Sequence, residues 1–308
     1  MSQVPQKLTK LGMAVQVAKG SAAAAPVNIW PLGERGGLST TRNQEYWDTA
    51  DGRAHIGLFM ERSEWYEGDI NVPLIPTFVA GTSGIEALML TRGGDWQGTW
   101  FTVFQDLGSN YRRTFVDCKV RSWRLTFEAG QEPALSWTVG ALSRTTASEI
   151  TAAAIAFEPY LCKEISVESA AFGSTYSSDV TLKRLEINGN NRVTGFEEEL
   201  RLGGSCRPLD QPNTAGPTVE GSLDSEFSSS TLIDAFEAGT LMKVKITLER
   251  PGVATCIAEL PRIHYNANPL LPGGGGDAMI SQDGVSFTAL GSGADYATAP
   301  MTMTETVP

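Results

Sequence analysis

Hydrophobic and polar positions along the 308-residue chain alternate with period two, the signature of strands packed on one face. Residues 121–127 (RSWRLTF) alternate, and so do 99–104 (TWFTVF), where Trp100 and Thr102 share one face and Phe101 and Val103 the other. Residues 182–187 (LKRLEI) and 192–202 (RVTGFEEELRL) flank Asn188-Gly189-Asn190-Asn191. Asn-Gly between alternating runs predicts a hairpin, because both residues tolerate positive φ. Asp51-Gly52 predicts a similar hairpin between a run ending near Trp47 and one starting near His55. Helical signal is scarce. Thr82-Ser83-Gly84 precedes 85–90 (IEALML), and Ser229-Ser230-Thr231 precedes 232–238 (LIDAFEA), which Gly239 ends. Hydroxyl residues before an apolar stretch and a glycine just after it predict two short capped helices.

The order of these elements repeats. The first half reads hairpin, Glu67-Gly68-Asp69-Ile70, helix 85–90, strand 99–104, long strand 115–127, a loop with Gly130, and strand 134–142. The second half reads hairpin 182–202, Glu220-Gly221-Ser222-Leu223, helix 232–238, strand 241–248, long strand 253–265, a loop with Gly273–Gly276, and strand 285–290. Cys118 and Cys256 fall on the corresponding long strands. The expected organisation is an N-terminal arm over 1–38, one unit over 39–144, a connector over 145–179, a second unit over 180–290 and a tail over 291–308. A chain of this length fits two domains at about 150 residues each. Antiparallel sheets with one apolar face need a second layer, so the expected fold is all-β: two tandem β-sandwich domains, each with a short flanking helix.

Composition narrows the function. Net charge is −11, which excludes a protein that gains nucleic-acid affinity by neutralising phosphates. No apolar run reaches the roughly 18 residues of a spanning helix. The N-terminal stretch LGMAVQVA is short, contains Gln16 and ends at Lys19, so it does not read as a secretory signal. Four cysteines, Cys118, Cys162, Cys206 and Cys256, form no C-x-x-C pair, so they read as reduced thiols and no metal is expected.

The segment RSEWYEGDINVPLIPTFVAGTSGIEALML around Gly68 resembles the major tail tube proteins of long-tailed bacteriophages: Glu-Gly, then a proline-containing strand and a small helix. The second half shows it again as VEGSLDSEFSSSTLIDAFEAG, then KVKITLERPG, then AELPRIHYNANPLLPGGGGDAMISQDGVSFTAL. The resemblance implies sandwich domains whose inner sheets join neighbours into a tube-lining β-barrel. Two units imply trimeric rings with pseudo-sixfold symmetry. The rings stack into a tail, hold the tape-measure protein, meet tail terminator and tail-tip proteins, and pass double-stranded DNA without gripping it. The implied location is the virion, after assembly in the host cytoplasm, with no membrane and no cofactor.

Candidate chemistry is sparse. His55 and His264 lack a recognisable nucleophile and acid context, and Gly273–Gly276 reads as a loop between strands. No catalytic residue is assigned. Carboxylates cluster at Glu61, Glu64, Glu67 and Asp69 and again at Glu197, Glu198 and Glu199. They read either as a solvated strand face or as an acidic lumen wall, formed by Glu61, Glu64, Glu67, Asp69, Glu197 and Glu199. Like charge keeps DNA, at one charge per about 1.7 Å, from sticking. In the glycine-rich loop 92–98, Arg92, Asp95 and Trp96 are candidates for contacts between rings. The arm, that loop and the tail are candidates for ordering on stacking. A secreted β-sandwich enzyme or carbohydrate-binding module is the alternative from another class. A tail terminator or baseplate hub is the alternative within virions.

Overall fold

A computed structural model describes residues 10–26, 28–31, 36–47, 58–76, 99–108, 111–147, 149–151, 158–178, 182–196, 198, 208, 210–212, 214–226, 231–266, 281–291 and 299–308. The protein is all-β, and every strand pairing among the described residues is antiparallel. The first seven strands are β1 (Lys10–Val15), β2 (Asn28–Pro31), β3 (Ser39–Trp47), β4 (Leu58–Pro73), β5 (Phe101–Asp106), β6 (Arg112–Glu128) and β7 (Ala134–Thr146). The next seven are β8 (Ile165–Ala171), β9 (Ser177–Ser178), β10 (Leu182–Asn190), β11 (Thr218–Glu226), β12 (Met242–Arg250), β13 (Ala254–Tyr265) and β14 (Ser281–Ala289). β15 (Thr302–Thr306) closes the chain. The one α-helix among the described residues, α1 (Thr231–Glu237), lies where the hydroxyl run and Gly239 place it, with Gly239 at φ +61° as a left-handed terminator.

The ladders of the first seven strands recur in the next seven. The first set connects in the order β2-β1-β5-β6-β7-β4-β3, and the second in the order β9-β8-β12-β13-β14-β11-β10. The correspondence extends to irregularities. Between Phe101 and Val103 the partner on β6 jumps from Cys118 to Phe115, and between Met242 and Val244 the partner on β13 jumps from Ile263 to Leu260. Both are bulges, where an unpaired residue is tolerated. Asp117 at φ +57° occupies the first bulge, and Pro261, which has no N–H to give a ladder, sits in the second. In this register Cys118 answers to Ile263, so Cys118 and Cys256 share the strand but not the position. β7 runs thirteen residues along β6, whereas β13 takes β14 at one end and β15 at the other.

The two sets meet at one ladder, in which β6 from Ser122 to Glu128 pairs with β10 from Asn190 to Arg184. The core is continuous across it: Trp123, Leu125, Phe127, Leu185, Ile187, Val219, Leu223 and Phe287 belong to one buried cluster.

One expectation needs correction, and three segments carry strands that the pattern did not predict. Asn188-Gly189 is not a turn. Both lie inside β10, because the Trp123 indole packs across Gly189, where an added Cβ would stand 2.0 Å from the ring. β10 pairs instead with β11, and the described residues 192–196 form no strand. The arm contributes β1 and β2, with β1 in register along β5. The stretch read as connector contributes β8 and β9, with β8 in register along β12. The tail contributes β15, which buries Met301 and Met303. The Asp51-Gly52 turn, the helix over 85–90 and the Gly273–Gly276 loop lie outside the described residues.

Candidate functional site

Alternation along the central strands gives the sheet one apolar and one polar face. On β4, Tyr66 and Ile70 are buried while Asp69 is exposed. On β7, Leu135, Trp137 and Val139 are buried while Ser136 and Thr138 turn the other way. β6 and β10 continue the pattern with Arg124, Arg184, Glu186, Asn188 and Asn190 on the polar side. A shallow polar trough of about 580 Å³ spans the joint, with Asp69, Arg124, Thr138, Asn188, Asn190 and Glu220 on its walls.

The trough is held by hydrogen bonds across and along its strands. Thr138 Oγ1 donates to Asp69 at 2.8 Å, and Arg124 Nε donates to Asn188 Oδ1 at 3.0 Å. Asn188 Nδ2 donates to Glu186 at 3.0 Å, and Arg184 donates to the other oxygen of Glu186 at 2.8 Å. Acids Glu67, Asp69, Glu186 and Glu220 share this face with Arg121, Arg124 and Arg184. Arg121 lies 3.9 Å from Glu67.

Glu67 and Asp69, read from the sequence as lumen acids, are on the polar face, where Glu67 accepts from Thr41 Oγ1. Glu64 is placed on the opposite face. It is 8% exposed, accepts from the Tyr66 hydroxyl and pairs with Arg42 at 3.2 Å. Glu61 lies in β4 opposite Gln44. Glu197, Glu199, Arg92, Asp95 and Trp96 lie outside the described residues.

Sequence reasoning missed the clasp that covers the upper end of this face. The segment linking β10 to β11 folds back over β6 and β7. Gln211 donates through Nε2 to the carbonyls of Asp117 at 3.1 Å and Gly140 at 3.2 Å. Buried Lys119 donates to the Gln211 carbonyl at 2.5 Å and lies 4.1 Å from the Trp100 ring. Asn191 Nδ2 donates to the Val120 carbonyl at 2.9 Å. Phe196 stacks on Trp65 at 6.0 Å and joins Trp100 and Leu142 in a buried cluster. Gly140 makes room for both Phe196 and Gln211; a Cβ there would stand 2.6 Å from the phenyl ring. Asp210 pairs with Lys19 at 3.0 Å. Burial pushes the Asp210 carboxyl up, but the Lys19 ammonium and the Gln211 N–H outweigh it and hold it below its ordinary value.

No catalytic constellation assembles among the described residues. His264 is exposed on the polar face beside Thr288. Cys118 and Cys256 are buried, and burial pushes the Cys118 thiol up, away from nucleophilic character. Among the described residues no group of three or more His, Cys, Asp or Glu side chains could hold a metal ion, and no helix is long and apolar enough to cross a membrane.

A continuous core and one ladder that joins two antiparallel strand sets define the class: an all-β protein built on one extended sheet. The family described as phage tail tube protein matches residues 7–305, and the chain belongs to it. It is a structural tail tube subunit, a component of the virion tail that self-associates in tail assembly. No curated protein matches the sequence.

Proposed function

We propose that the chain carries two copies of one tube domain and that three chains close a pseudo-sixfold ring. Rings stack into the tail tube, and the polar face lines a lumen. The observation that carries this reading is the recurrence of the whole ladder plan, bulge included, with the two copies joined by β6 and β10. β10 uses one edge for β11 and the other for β6. Its counterpart β3 uses one edge for β4, and its other edge has no partner strand among the described residues. A joint made inside a chain and left open at its equivalent edge is a head-to-tail contact, which closes a ring when the rotation between copies is a whole fraction of a turn. Open edges ordinarily invite aggregation; here they direct assembly.

In this reading Glu67, Asp69, Glu186 and Glu220 repel DNA in transit, joined by Glu61, Glu197 and Glu199 where those reach the lumen. The tape-measure protein occupies the channel before DNA does, and tail terminator and tail-tip proteins cap the ends. Assembly takes place in the host cytoplasm. The protein catalyses nothing and needs no cofactor. Negative-stain electron microscopy of the concentrated, purified protein tests the reading. Rings or tubes with a stain-filled channel are the expected result. Dispersed monomers at every concentration would contradict it.

A further inference from the structure

Two large apolar side chains are exposed on the second strand set, just past the ends of β8 and β14. Phe172 is 49% and Leu290 36% exposed. Arg262 links them: its guanidinium lies 4.8 Å from the Phe172 ring, and its carbonyl accepts from the Leu290 N–H at 2.8 Å. The ladders identify their counterparts in the first set. The Gln16 N–H donates to the Trp100 carbonyl at 2.9 Å, and the Phe172 N–H donates to the Leu241 carbonyl at 2.8 Å. Phe172 therefore answers to Gln16. Leu290 follows Ala289, opposite Ile263, as Leu142 follows Ala141, opposite Cys118. Gln16 and Leu142 are each 7% exposed. The difference is the cover. In the first set the segment after β10 seats Phe196 against Trp100 and Leu142, and Gln211 over the Asp117 bulge. Within the described residues, nothing equivalent covers the second set.

What covers the first set identifies what fits the second. Ser39 pairs with Glu67 as Asn188 pairs with Glu220, so β3 answers to β10. Counting on eight residues from Asn188 reaches Phe196, and eight from Ser39 reaches Trp47. Trp47 pairs with Leu58 and Tyr46 with Phe59, so this end of the hairpin is apolar and aromatic in sequence. Within one chain the β3 edge faces away from the second set's ladder path, since β3 stands at the end of its order.

We infer that Phe172 and Leu290 form a docking site for a second copy of this chain, taken up by the Trp47 end of its β3–β4 hairpin as the first set takes up Phe196. The contact is heterologous: every chain carries one donor end and one acceptor patch. It rests on the ring reading and specifies which residues make the ring contact.

The test uses the full chain with both acceptor residues changed, Phe172→Asp and Leu290→Asp. Both are exposed, so the double variant is expected to melt within a few degrees of wild type while losing assembly by light scattering. It retains its donor end. Added to wild type in substoichiometric amounts it is expected to poison assembly, and adding Trp47→Ala to the same chain is expected to abolish the poisoning. Normal assembly of the double variant would overturn the proposal, and so would poisoning indifferent to Trp47. A wild type that never assembles would fail the ring reading itself, and this proposal with it.

Discussion

Gly189 shows how a single residue is set by a partner far away in sequence. It faces Trp123 across the β6–β10 ladder, and the indole lies where any side chain would stand. Overfilling such a site costs about 1–3 kcal/mol, and here the site is also the seam between the strand sets. Gly189→Val is therefore expected to lower stability by about 1–3 kcal/mol, read as a lower denaturant midpoint at unchanged m-value. An unchanged midpoint would mean that Trp123 does not need the gap. A local rule reads Asn188-Gly189 as a turn, because turn propensity is a property of neighbours, while the indole is 66 residues away in sequence. The acids divide by the same logic of position. Glu67 and Asp69 share a strand face two residues apart, and Glu64, three from Glu67, falls on the other, where Tyr66 and Arg42 hold it.

Elements were legible where alternation was strict. The patterns RSWRLTF, TWFTVF and the two Glu-Gly-bearing strands foreshadow β6, β5, β4 and β11. β1 was not, since Leu11, Gly12, Met13 and Ala14 are all buried and present no polar face to alternate. β8 and β9 were hidden by their serines and glutamate; β8 is held by β12, and β9 by β8, rather than by an apolar pattern of their own. The strand β12 is also tied at its end. Arg250 grips Glu164 through Nε at 3.0 Å and Nη2 at 2.8 Å, and Nη2 also donates to the Pro159 carbonyl at 2.7 Å. The Arg250 hydrogen bonds hold the Glu164 carboxyl below its ordinary value against the opposing effect of burial. A carboxyl depressed in the folded state stabilises above its unfolded pKa of about 4.3, and that contribution is lost as pH falls through the lower folded value. Glu164→Gln is expected to lower the melting temperature at pH 7 and to narrow the gap from wild type on titration below pH 4. A gap constant across that range would show that the ion pair contributes nothing to holding the end of β12.

At the scale of the whole molecule, the repeat was visible in element order, and the Glu-Gly pairs mark equivalent places: Gly68 and Gly221 each lie where backbone or ring leaves no space for a Cβ. The joint was not visible, because pairing between β6 and β10 depends on no local motif. Nor was the clasp, in which Asn191 and Gln211 fill carbonyl acceptors on β6 and Lys119 of β6 donates back to the Gln211 carbonyl. The overall acidity, −11, first argued against gripping nucleic acid. On the sheet, Glu67, Asp69, Glu186 and Glu220 share the polar face with Arg121, Arg124 and Arg184. The central claim is that one chain supplies two equivalent segments of a ring with that face turned inward. An electron cryo-microscopy reconstruction of assembled tubes tests it most directly. The account predicts three chains per ring, near-sixfold strand density, and Asp69 and Glu220 on the channel wall. Six chains per ring, or a channel lined by the opposite face, would contradict it.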